Sequence, residues 1–238
     1  MTVKHGQLIV ALDVPTLKEA KELVQTIGKA VEIYKVGSQL FTASGPDAVR
    51  YLLKEGKEVF LDLKFHDIPN TVASAVAAAI GIQEGGRGIM MCTLHALGGL
   101  EMLKAAAETA RKEAQAKGVK RPLLVAITVL TSEAGKDNIP RLVLERCALA
   151  KQAGLDGVVA SSQEAALIRR EFGKDFVIVT PGIRPKDSAV GDQKRVTTPA
   201  DAIANGSDFL VVGRPVVNAK DPVAAAKQIL KDIREAKG

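Results

Sequence analysis

The sequence predicts a single-domain α/β protein of the (β/α)8 (TIM) barrel class, and three observations carry that prediction. Eight short apolar runs, dense in Val and Ile, recur along the chain. Segments whose apolar residues return every three or four positions fill the intervals, so strand and helix alternate in units of about thirty residues. Eight such units in 238 residues match this barrel in count and length.

The first run, LIVAL (8–12), ends at Asp13 and leads into TLKEAKELVQTIGKA, a segment with helical spacing. EIYKV (32–36) is the second strand and EVFLDL (58–63) the third. PNTVASAVAAAIGIQE follows, with Pro69 in the first helical turn, where a missing N–H costs nothing. GIMMCTL (88–94) precedes the helix GGLEMLKAAAETARKEA. PLLVAITVL (122–130), GVVA (157–160) and FVIVT (176–180) are strands five to seven, and DFLVV (208–212) is the eighth. The last helix, DPVAAAKQILKDIREA, again starts on a proline, Pro222. Strands apolar along their whole length belong to a parallel sheet covered by helices. A doubly wound open sheet would carry a glycine-rich dinucleotide turn after the first strand, and none is there. No linker, low-complexity stretch or composition break divides residues 1–238, so one domain is expected.

Composition narrows the function classes. Apolar residues make up 47% and charged residues 25%, as in ordinary soluble globular proteins. With aromatics at 3% and no Trp, the core must be built from Val, Ile, Leu and Ala. The formal charge of +6 suits nucleic acid, a membrane surface or an anionic metabolite. The basic residues are scattered; their densest cluster, Lys117, Lys120 and Arg121, has no interleaved aromatics for base stacking, so no nucleic-acid partner is expected. Cys92 and Cys147 lack CxxC spacing and read as two buried thiols in a reducing compartment, not a disulfide or metal site. LIVAL is too short for a signal-peptide core, and no apolar run reaches the length of a membrane span. The expectation is a cytoplasmic protein with no membrane partner.

Catalytic groups of such a barrel come from the C-terminal ends of different strands. Asp13 closes the first strand, Lys35 lies near the end of the second, and Asp62 and Lys64 end the third. His95 follows the fourth, Thr131 the fifth, and Gly213 and Arg214 the eighth. Residues two apart on a strand share a face, so Asp62 and Lys64 point the same way. Alone they could be a structural ion pair; with Lys35 on the neighbouring strand they make a network. Asp67 lies beyond the strand, before Ile68 and Pro69, where capping of the next helix is an equal alternative. His66 and His95 read as structural, hydrogen-bonded histidines.

The segment TPGIRPKDSAVGDQKRV (180–196) follows strand seven, and VGRPV (212–216) follows strand eight. Loops at these two places often hold phosphate on backbone N–H groups. Gly213 permits close backbone approach, while Arg184 and Arg214 can each give forked hydrogen bonds to phosphate oxygens. A solvated basic loop is the alternative.

DLKFHDIPNT (62–71) resembles the DxKxxDIPNT signature of the orotidine 5'-monophosphate decarboxylase family. The resemblance continues through ALD (11–13), KVG (35–37), TVLTS (128–132), TPGIRP (180–185), GDQ (191–193) and VGRP (212–215). It implies conversion of orotidine 5'-monophosphate to uridine 5'-monophosphate and CO2, the last step of de novo pyrimidine synthesis, by a homodimer with no metal or organic cofactor. Carried over by position, Lys35, Asp62, Lys64 and Asp67 form an alternating charge network, with Asp67, Ile68 and Thr71 supplied by the neighbouring subunit. Asp13 and Lys35 would hold ribose hydroxyls, and Thr131 would contact the pyrimidine. Arg184, Gln193, Gly213 and Arg214 would form the phosphate and base-closing site. Lys64, kept protonated by its aspartate neighbours, would stabilise and then protonate the carbanion left by CO2. Metal-dependent sugar-phosphate decarboxylases and synthases of the same superfamily carry Glu where this chain has Lys35, and a protonated lysine cannot ligate Mg2+. A non-catalytic phosphate-binding barrel, the other alternative, would not need all four charged residues.

Overall fold

The computed structural model describes residues 7–130, 138–185 and 196–236. Within them eight parallel strands close into a barrel in chain order, the first pairing with the last. They are β1 (Gln7–Ala11), β2 (Ile33–Gly37), β3 (Glu58–Phe65), β4 (Met91–His95), β5 (Leu123–Ile127), β6 (Gly157–Val159), β7 (Val177–Thr180) and β8 (Phe209–Val212). All eight coincide with the apolar runs. Three have an end that differs from these runs by two residues or more: β3 runs on through Lys64 to Phe65, β4 begins at Met91, and β5 stops at Ile127.

Period-two alternation explains why these strands are apolar on both faces. Ile9, Ala11, Ile33, Phe60, Met91 and Val125 belong to a core that fills the barrel. Their neighbours Leu8, Val10, Tyr34, Leu61, Cys92 and Leu124 join a second core between strands and helices. Burial pushes the Cys92 and Cys147 thiols up to about 12, so both stay protonated and inert at neutral pH. Neither forms a disulfide.

Helix starts follow local chemistry. Thr16 caps α1 (Leu17–Ile27): its Oγ1 accepts the Glu19 N–H at 3.2 Å and donates to the Glu19 carboxylate at 3.0 Å. Between β2 and β3 there are two helices, α2 (Ser38–Ser44) and α3 (Asp47–Lys54). They break at Gly45-Pro46, where Gly45 takes φ 57°. Proline opens α4 (Pro69–Ile80), which packs on the alanine-rich α5 (Gly99–Ala116). The remaining helices are α6 (Ile139–Gln152), α7 (Ser162–Phe172), α8 (Pro199–Ala204), α9 (Arg214–Val217) and α10 (Pro222–Glu235). Among the described residues no helix is long and apolar enough to cross a membrane.

The two rims of the barrel carry different charges. At the N-terminal rim, Arg121 grips Asp156 with both guanidinium arms, and Asp156 also accepts the Leu124 N–H at 2.8 Å. Arg169 pairs with Asp208 at 2.8 Å and donates to the carbonyls of Gly173, Phe176 and Gly206. These pairs tie strand starts and loops together, the stabilising role expected of that rim. Asp13, Lys35, Asp62 and Lys64 lie at the other, C-terminal rim.

Candidate active site

A cavity of about 410 Å3 opens at the C-terminal mouth, and Asp13, Lys35, Asp62, Lys64, Arg184 and Arg214 all line it. The strands bring these groups together from separate parts of the chain. Ala11 stands beside Lys35 in the β1–β2 ladder, and Gly37 beside Asp62 in the β2–β3 ladder. The side chains of Asp13, Lys35, Asp62 and Lys64 converge at this mouth.

The Asp62 carboxylate is the hub. Its Oδ2 lies 2.9 Å from Lys64 Nζ and 3.4 Å from Lys35 Nζ, and Lys35 reaches on to Asp13 Oδ1 at 3.0 Å. Asp62 Oδ1 accepts a hydrogen bond from Thr93 Oγ1 at 3.0 Å. Burial alone would push the Asp62 carboxyl up, but Lys35, Lys64 and the hydrogen bonds from Lys64 and Thr93 outweigh it and hold it below the usual carboxylate range. Asp62 is therefore an anion at neutral pH. The Lys64 side chain is 39% exposed against 10% for Asp62, so Lys64 is the member presented to the cavity. Gly37 makes room for Lys35: a Cβ there would lie 2.8 Å from Lys35 Nζ and 3.4 Å from Asp13 Oδ1.

Asp62 and Lys64 do share a site, but not through a regular strand. Leu61 pairs with Cys92 and Phe65 with Leu94, so β3 carries three residues where β4 carries one, Thr93. Lys64 sits in this bulge at φ 52°, a left-handed conformation uncommon for a side chain that is not glycine. Its N–H donates to Thr93 Oγ1 at 2.8 Å. Sequence reasoning passed over Thr93. The available signal was parity: a polar residue in the buried run MCTLH, in step with the barrel-filling Met91.

The described phosphate-loop residues line the same mouth, and Gly213 stands next to Asp13: a Cβ there would lie 3.5 Å from Asp13 Oδ2. Arg184 is buried and donates from Nη1 to the Ile183 carbonyl at 3.0 Å. Its backbone N–H bonds the Thr197 carbonyl at 2.9 Å, joining the two described ends of that loop. Gly213 precedes α9, whose first residue is Arg214. Ile127, Leu130 and Val159 add apolar surface to the cavity lining. Thr131 and Gln193 lie outside the described residues.

Asp67, Ile68 and Thr71 stand apart from the cluster, all three exposed, Ile68 to 65%. Asp67 forms no ion pair among the described residues, and its Oδ1 accepts only the adjacent Ile68 N–H at 2.6 Å. The N-cap of α4 is Ile68, without a side-chain cap, so Asp67 does not cap the helix. His66 stacks on His95 with ring centroids 5.2 Å apart, and His95 Nδ1 accepts the Leu97 N–H at 3.2 Å. Among the described residues no three His, Cys, Asp or Glu side chains are grouped as a metal would need.

Fold and site together define the class of barrel enzymes that carry acid and base side chains at the C-terminal strand ends. The family model described as "Orotidine 5'-phosphate decarboxylase / HUMPS family" matches residues 6–229. Two curated relatives named orotidine 5'-phosphate decarboxylase are those of Syntrophotalea carbinolica, 49% identical over 97% of this chain and 96% of that one, and Geobacter metallireducens, 48% identical over 95% of each. The crystal structure of orotidine 5'-phosphate decarboxylase from Lactobacillus acidophilus superposes with TM-score 0.81 at 36% identity, covering 95% of this chain and 98% of that one. This chain belongs to the orotidine 5'-phosphate decarboxylase / HUMPS family.

Proposed function

We propose that this chain decarboxylates orotidine 5'-monophosphate to uridine 5'-monophosphate and CO2, as a cytoplasmic homodimer completing de novo pyrimidine synthesis. The observation that carries the reading is Asp62 Oδ2 shared between Lys35 and Lys64 in a cavity that Arg184 and Arg214 also line. Asp13 and Lys35 hold the ribose hydroxyls, Thr131 meets the pyrimidine, and Arg184, Gln193, Gly213 and Arg214 receive the phosphate and close over the base. Asp67, Ile68 and Thr71 serve the neighbouring subunit's site; their exposure supports this assignment.

In the reaction the bond between the ring carbon and the carboxylate breaks heterolytically. CO2 leaves, and the electron pair stays on the ring carbon in an orbital with little delocalisation. Lys64 stabilises that charge as it develops and then delivers a proton from Nζ to the carbon; solvent returns the proton to the amine. Asp62 faces the substrate carboxylate, and two like charges at ~4 Å repel by about 4 kcal/mol at an effective dielectric near 20. Enzymes lower barriers by roughly 8–23 kcal/mol, so this repulsion is a minor part. Lys64, aided by phosphate contacts that hold the substrate in place, supplies most of the remainder.

The deciding experiment is CO2 release from orotidine 5'-monophosphate by the purified protein after exhaustive treatment with EDTA. Full activity is expected, since Lys35 occupies the place of the carboxylate ligand in metal-dependent relatives. Activity lost on chelation and restored by Mg2+ would instead favour sugar-phosphate chemistry. Arg214→Ala is expected to weaken uridine 5'-monophosphate binding about 10- to 100-fold, the worth of one charge-assisted contact. Turnover of orotidine, which lacks the phosphate, should change much less. Equal losses with both substrates would remove Arg214 from the phosphate site.

A further inference from the structure

We propose that Thr93 is a positioning residue that fixes Asp62 and Lys64 relative to one another; this rests on reading the site as a decarboxylase centre. Thr93 is fully buried on β4, and its single hydroxyl serves both groups. A carboxylate can only accept and an amide N–H can only donate, so the directions are set. Oγ1 gives its proton to Asp62 Oδ1 at 3.0 Å and receives the Lys64 N–H at 2.8 Å.

Thr93 is also the one β4 residue opposite the three-residue bulge of Asp62, Leu63 and Lys64. There the ladder between backbones is interrupted, and a buried N–H without a partner is costly. The Thr93 hydroxyl replaces the missing carbonyl for Lys64 and so stabilises the left-handed backbone from which the Lys64 side chain starts. Because threonine is stiff at χ1, one rotamer holds both contacts. Thr93 itself does not line the cavity, so it acts through Asp62 and Lys64 and does not touch the reacting atoms.

The test compares Thr93→Val, which keeps the shape and loses the hydroxyl, with Thr93→Ser, which keeps the hydroxyl and loses the methyl. Thr93→Val is expected to lower kcat on orotidine 5'-monophosphate about 10- to 100-fold, the cost of a small misplacement of catalytic groups. Affinity for uridine 5'-monophosphate should change much less, and Thr93→Ser should restore most of the rate. A second readout needs no turnover: the Asp62 carboxyl, followed by 13C NMR, should titrate at higher pH in Thr93→Val and near its wild-type midpoint in Thr93→Ser. If Thr93→Val does not fold, Thr93→Ala takes its place in both measurements. Wild-type kcat together with a wild-type Asp62 titration in the hydroxyl-free variant would overturn the proposal. So would a serine variant as impaired as the valine one, which would mean the methyl matters and the hydroxyl does not. A wild-type protein that releases no CO2 would overturn the decarboxylase reading instead, and the Asp62 titrations would still decide whether Thr93 holds that carboxylate.

Discussion

Lys64→Ala is expected to lower kcat on orotidine 5'-monophosphate by on the order of ten thousand-fold, because one side chain both stabilises the developing charge and donates the proton. Binding of uridine 5'-monophosphate should survive, since the phosphate and ribose contacts are assigned to Arg184, Arg214, Asp13 and Lys35. The fold should survive as well. Asp62 keeps the Lys35 ammonium at 3.4 Å and the Thr93 hydroxyl at 3.0 Å, so removing Lys64 does not leave a buried carboxylate without partners. Single-turnover CO2 release and calorimetric titration with the product nucleotide check the two halves of the prediction. A variant that still turned over at a tenth of the wild-type rate would take the proton-donor role away from Lys64.

Restoration of activity in mixed dimers is the second large effect. Asp67 is exposed and makes no ion pair among the described residues, yet the signature DLKFHDIPNT includes it with Asp62 and Lys64. If Asp67 completes the partner's site, Lys64→Ala and Asp67→Ala homodimers are each nearly inactive. A mixed dimer then gathers both lesions in one site and leaves the other intact. Random re-assortment makes half the dimers mixed, so roughly a quarter of wild-type activity should return. The subunits are dissociated and reassembled, with exchange confirmed by differently tagged chains. Mixed dimers no more active than their parents would mean that Asp67 works within its own chain.

Much of the site was legible because barrel architecture converts strand position into place. Asp13, Lys35, Asp62 and Lys64 stand at strand ends in the sequence, and they meet at one mouth because parallel strands bring their C-terminal ends to one rim. Thr93 was not legible in the same way. A threonine in a buried strand is ordinary, and its importance depends on which residue stands opposite it. The split of the segment after β2 into α2 and α3 escaped the reading too, although Gly45-Pro46 is a recognisable break.

What the sequence by itself determined is therefore local and periodic. The number of the strands, their places along the chain, and the helix starts at Pro69 and Pro222 all follow from hydrophobic periodicity and the missing proline N–H. Only the tertiary structure decided the slip of β3 against β4, the left-handed backbone of Lys64, and the outward placement of Asp67 away from its own chain's charge cluster. The reason is that strand register and bulges are relations between two segments far apart in the chain. No single strand carries enough information to say which of its N–H groups will find a carbonyl and which will need a side chain such as Thr93.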